Sequence, residues 1–188
     1  MQNVRVFFEK TGMTKYISHL DLMRCMTRAI KRAAIPAWYT EGFNPHLFIT
    51  FALPLTLGVE SLCESMDIRL TEEMGFEEVK NRLNVNLPDG IRITNVAVPV
   101  YKANDIAFAE YKITFHTRKN EKIKNEIEEK LLGDELLAEK MGKQGKRKVL
   151  KTINLKEFVN SYSVISLNDK TVLTAVLTAG SKNNINPN

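Results

Sequence analysis

The chain has 188 residues, 44% of them hydrophobic, with a net charge of +5. That is enough apolar material for one ordinary domain or two small ones, and too much for a wholly disordered chain. The start, "MQNVRVFFEK", has no apolar signal core and no run approaches the ~18 apolar residues of a membrane span, so neither export nor insertion is expected and a cytoplasmic location is. Cys25 and Cys63 lack metal or redox spacing.

"NVRVFFE" alternates Val4, Val6 and Phe8 with Arg5, Phe7 and Glu9, the pattern of a half-buried strand. "SHLDLMRCMTRAIKRAAIP" reads as a helix capped by Ser18, with Asp21 completing a capping box and Pro36 just past the end. Leu20, Met23, Met26, Ile30 and Ala33 or Ala34 are expected inward, with Asp21, Arg24, Arg28, Lys31 and Arg32 outward. "AWYT" and "HLFITFA" are expected as strands flanking the turn Gly42-Phe43-Asn44-Pro45-His46, and "SMDIRLT" as the next strand. "GFEEVKNRLNVNLP" is a helix by Phe76, Val79 and Leu83, and "IRITNVAVPVY" the strand after it. The order β-α-β-β-α-β predicts an α+β, ferredoxin-like domain over residues 1–105.

The order restarts over residues 106–188. "FAEYKITFH" is a strand, and "NEKIKNEIEEKLLG" a helix with Ile123, Ile127 and Leu131 inward. "KVLKTINL", "SYSVISL" and "TVLTAVLTAG" are strands, with "NDK" turning between the last two. The expectation is a second, incomplete ferredoxin-like unit without its last helix and strand.

Charge is focused. Lys140, Lys143, Lys146, Arg147, Lys148 and Lys151 face one acid, Glu139, within a glycine-containing segment that reads as a mobile loop. These six are the candidate nucleic-acid contacts, joined by the helical row of Arg24, Arg28 and Lys31. Around the start of the first helix stand Lys15, Tyr16, His19, Asp21 and Arg24, where free N–H groups suit an anion. Tyr39, Glu41, Asn44 and His46 flank or form the Gly-Phe-Asn-Pro-His turn. If the two segments meet at one end of the sheet, they form an anion-binding cleft, with His19 and His46 as the candidate catalytic pair. Phe7 and Phe48 are candidate stacking surfaces on the open sheet face. No iron–sulfur cysteine set, P-loop, dinucleotide fingerprint, zinc-protease helix or nucleophile elbow occurs, so no metal or cofactor is expected.

At "KYISHLDLMRCMTRAIKRAAIP", "YTEGFNPHLFITFALPLTLGVES" and "LNVNLPDGIRI" the chain resembles the bacterial radical-SAM-linked domain of unknown function, which is fused to radical S-adenosylmethionine proteins or encoded beside them. The resemblance runs through most of residues 1–165. It departs at Asn154-Leu155-Lys156-Glu157, where members commonly carry an Asp-Leu-Arg-Pro-like stretch. It implies a radical S-adenosylmethionine protein as partner, and the family's gene neighbourhoods imply work on RNA or ribosomal components. Three functions follow as expectations: a non-catalytic RNA-binding accessory module, a metal-independent RNA-processing enzyme using His19 and His46, or a protein-interaction adaptor docking through "FALPLTLG".

Overall fold

The computed structural model describes residues 1–144 and 147–180, with the backbone alone described at 140, 143, 144, 147 and 148. Two compact units divide at Ile106 and Ala107. Among the described residues no helix is long and apolar enough to cross a membrane.

In the first unit, β1 (Gln2–Lys10) is followed by a 3-10 turn (Gly12–Tyr16) and α1 (His19–Arg32). Then come β2 (Ile49–Phe51), β3 (Ser61–Leu70), α2 (Phe76–Asn86) and β4 (Ile91–Ala97). The antiparallel sheet has the order β2-β3-β1-β4, the ferredoxin-like arrangement. Val4, Val6 and Phe8 are fully buried on one face of β1, with Met66, Ile68 and Leu70 beside them on β3. Both helices cover that face, contributing Leu22, Met26 and Ile30 from α1 and Val79 and Leu83 from α2 to a single core.

Three expectations change here. The inward stripe of α1 is Leu22, Met26, Ala29 and Ile30, while Leu20 is 57% exposed and Met23 only half buried. Apolar residues at 20, 22, 23, 26, 29 and 30 trace two overlapping stripes, and packing on the sheet selects one. "AWYT" forms isolated bridges, Ala37 to Leu70 and Tyr39 to Leu47, in place of a strand. Trp38 donates its N–H to the Arg69 carbonyl, while its own carbonyl accepts from Phe48, so the segment passes from one partner to another without building a ladder. For the same reason "HLFITFA" narrows to the three residues of β2.

The turn before β4 is held by Gly90, at φ +90°, whose carbonyl accepts from the Thr11 N–H (2.7 Å) and the Thr14 hydroxyl (3.0 Å). A Cβ there would stand 2.6 Å from the Thr11 carbonyl oxygen, so only glycine fits.

In the second unit, β5 (Phe108–His116) and α3 (Asn120–Leu132) precede β6 (Leu137–Gln144), β7 (Arg147–Asn154), β8 (Val159–Leu167) and β9 (Lys170–Thr178). The main sheet has the order β5-β9-β8, matching β1-β3-β2 of the first unit. Asn120 locks α3 to the β8–β9 turn: its side-chain Nδ2 donates to the Leu167 carbonyl (2.6 Å), and its backbone carbonyl accepts from the Thr171 hydroxyl (3.0 Å).

β6 and β7 form a separate two-stranded ribbon inserted between α3 and β8. The basic segment expected as a mobile loop is therefore a β-ribbon over 137–144 and 147–154, and "KVLKTINL" belongs to it and not to the main sheet. "KVLKTINL" is a strand as expected, but its partner over 137–144 lacks apolar alternation, and pairing of that kind leaves no local trace in the sequence.

Candidate nucleic-acid interface

The helix start forms as its residues require. Ser18 Oγ accepts the Asp21 N–H (3.1 Å) and donates to Asp21 Oδ2 (2.7 Å), and Arg24 Nη1 reaches Asp21 Oδ1 at 3.0 Å. Ser18, and after it Arg24, hold the Asp21 carboxyl below its ordinary pKa. Lys15 is occupied as well: its Nζ pairs with Glu60 Oε1 at 3.1 Å and lies 5.4 Å from the Tyr16 ring centroid, and the Glu60 hydrogen bond raises its pKa. His19 packs edge-on to Phe51, with ring centroids 5.1 Å apart. The first turn of α1 is thus internally satisfied.

The Gly42–His46 turn sits elsewhere. Gly42 takes φ +121°, the Phe43 ring is fully exposed, and Glu41 and Asn44 are exposed beside it. The His46 N–H donates to Thr40 Oγ1 (3.1 Å), and its Nδ1 lies 2.9 Å from Thr40 Oγ1 and 3.2 Å from the Asn44 carbonyl oxygen. Ile49 opposes Ile68 and Phe51 opposes Met66, so the turn enters β2 at the end of the sheet where Ala37 meets Leu70. Tyr39, at the root of the turn, lies under Lys31 Nζ at 5.5 Å. Lys31 stands twelve residues beyond His19, ~18 Å along the helix.

The expected cleft between helix start and turn is therefore not formed, and His19 and His46 are too far apart to share a substrate atom. The cause is register: β2 runs away from the turn toward the helix start. Among the described residues no group of three or more His, Cys, Asp or Glu side chains is placed to hold a metal ion.

A different concavity lies along α1. Arg24, Arg28 and Arg32 occupy successive turns, ~6 Å apart along the axis, and with Asp21, Cys25 and the end of α2 at Val85–Pro88 they line a groove of about 670 Å³. Arg32 Nη2 donates to the Asn86 carbonyl (2.5 Å), which ties the groove's two walls together. Arg24 is shared with Asp21, the one acid in the lining. Arg28 is exposed and makes no hydrogen bond or ion pair among the described residues. Burial pushes the Cys25 thiol pKa up against the pull of Arg32 and Arg28, which keeps it a neutral thiol. Three guanidinium groups against one carboxylate give the groove a net positive lining, of the kind that suits an anion.

Arg24 and Arg28 follow from helical spacing, but the third member of the row is Arg32 and not Lys31, which lies over the Tyr39 ring. The i, i+4, i+8 spacing favours Arg32 over Lys31 at i+7 for a straight row. Asn86 and Pro88 carry no sequence signal, because only the packing of α2 beside α1 brings them there.

On the ribbon of the second unit, the register sets Lys140 opposite Lys151 and Lys143 opposite Lys148, and Arg147 pairs with Gln144. Lys146 lies outside the described residues. Lys156 Nζ, in the stretch that departs from the expected Asp-Leu-Arg-Pro pattern, caps the end of α3 through the Leu132 and Gly133 carbonyls.

A search of curated proteins found no match. A family described as "Uncharacterized protein conserved in bacteria (DUF2344)" matches residues 3–187. With two ferredoxin-like units and nearly its whole length covered by that match, the chain belongs to this bacterial family.

Proposed function

We propose that this protein is a non-catalytic module that holds RNA, or a ribonucleoprotein, by its phosphate backbone and presents it to a radical S-adenosylmethionine protein. The observation that carries the RNA half is the arginine row of α1, with Arg28 unpaired in a groove that contains a single acid. The lysines concentrated in the sequence of the ribbon strands add to the positive charge available for such a partner. The partner half rests on the resemblance carried by "SHLDLMR" and "GFNPH".

Filter binding of a structured RNA across a salt series tests the RNA half. Neutralising phosphates makes affinity fall with log salt, with a slope of roughly −0.7 per contact on single strands. Arg24→Ala with Arg28→Ala should weaken binding and flatten the slope by about 1.4, two contacts' worth. Binding that is absent, or indifferent to salt, sinks the reading. Co-purification of the radical S-adenosylmethionine protein from nuclease-treated extract, with no RNA binding by the isolated chain, would favour a protein adaptor.

A further inference from the structure

The face of the first unit's sheet that the helices leave open carries a second, chemically different concavity. β1 presents Asn3 and Arg5 there, β3 presents Asp67, and the chain before and within β2 presents Phe48 and Thr50. The segment after β4, Val98–Asn104, forms the opposite wall, enclosing about 480 Å³. This is within the size range of small-molecule sites.

Its floor is polar but neutral. Arg5 Nε and Nη2 bind Asp67 Oδ1 and Oδ2 at 2.7 and 2.8 Å, a bidentate pair that uses both charges. The floor itself offers a phosphate no free cation, Lys102 standing on the facing wall, whereas donors and acceptors remain at Asn3 Nδ2, Thr50 and the outer lone pairs of Asp67.

One wall is a fixed aromatic ring. Phe48 packs edge-on against Trp38 (centroids 5.5 Å apart), and the Arg69 guanidinium lies over both rings at 5.1 and 5.2 Å. Arg69 Nε is held in turn by Asn3 Oδ1 at 3.2 Å. The facing wall leaves Val100 83% and Tyr101 74% exposed, apolar surface beside a preset ring. Lys102, exposed on that wall, suits the phosphate of a neighbouring nucleotide.

We infer that this cleft takes a single unpaired nucleobase, stacked between Phe48 and Tyr101, with its edge read over the Arg5–Asp67 floor. Flat, neutral, edge-polar chemistry is what the cleft complements, and base–aromatic stacking is the common currency of single-strand recognition. The inference deepens the RNA-binding reading and rests on it. Phosphate contact is assigned to the α1 groove, and base contact to the open sheet.

The experiment separates the two. A labelled short oligoribonucleotide containing all four bases, and an abasic oligomer of equal length and charge, are titrated with the full chain by fluorescence anisotropy. The base-bearing oligomer should bind about tenfold tighter, as one stacked base provides. It alone should also perturb the emission of Trp38, the chain's single tryptophan. Phe48→Leu, and Tyr101→Ala at an exposed position where folding is not at stake, should each erase the preference and leave abasic binding unchanged. Arg24→Ala with Arg28→Ala should weaken both oligomers alike. Equal affinity of the native chain for both oligomers, or a preference that survives Tyr101→Ala, overturns the base site alone. Failure of both oligomers to bind overturns it together with the RNA reading.

Discussion

The two units begin with the same strand, helix and pair of strands, and they differ in what covers the sheet. In the first, two helices lie over four strands, and side chains as large as Phe8, Met26, Met66 and Leu83 are wholly buried. In the second, among the described residues, one helix accompanies the three strands of the main sheet, and the buried apolar positions are Val172, Ala175, Leu177 and Ala179. Tyr111, Ile113, Phe115, Ile123 and Ile127 are only half buried. A helix about 10 Å wide spans roughly two strands at their ~4.8 Å spacing, so one helix cannot seal three. The two buried side-chain atoms without a partner among the described residues, Asn120 Oδ1 and Thr178 Oγ1, also belong to the second unit. Completing the ferredoxin-like order with a second helix is thus what turns a partly wet sheet into a dry core.

The sharpest way to break this comparison is to cut one core residue from each unit. Phe8→Ala should cost ~3–5 kcal/mol, and Leu177→Ala, at a less enclosed site, about 2 kcal/mol. Urea unfolding read by hydrogen exchange in peptides of each unit measures both, and equal costs would mean the second core is as well sealed as the first. Next in size is Gly90→Ala, which forces a Cβ onto the Thr11 carbonyl at a positive φ and should cost ~2 kcal/mol in the first unit. The same exchange measurement should show faster exchange at Thr11 and along β4.

Ser18→Ala removes the cap of α1 and should cost about 1 kcal/mol, read from the thermal unfolding midpoint.

The smallest effect is the pH response of Asp21. Its carboxyl titrates below 3.8 when folded and near 3.8 when unfolded, so its support of the helix start is complete above that value. It is lost as pH falls through the lower, folded pKa. The difference in melting temperature between the native chain and Asp21→Asn should therefore shrink on acidification and vanish in strong acid. A difference that persists there would mean the cap acts without its charge.

Much of the candidate interface could be read in advance, but not its shape. The spacing of Arg24, Arg28 and Arg32 puts them on one helical face wherever the helix goes, and Ser18 with Asp21 marks where that helix begins. The Phe48 ring was visible as a candidate stacking surface on the open face. Its fixed orientation was not, because Trp38, Arg69 and Asn3 come from three separate segments. The pairing of His19 with His46 failed for a related reason. Both motifs are conspicuous, yet the direction of β2 carries one away from the other.

By itself the sequence determined what local physics can encode: the alternation that buries Val4, Val6 and Phe8, the cap at Ser18, the stripe of α2 and the concentration of charge at 140–151. The tertiary structure alone decided which of two apolar stripes α1 buries, that the basic segment pairs as a ribbon, and that α2 closes the arginine groove. Each of these depends on contacts between residues far apart in the chain, whose energies no short window of sequence contains.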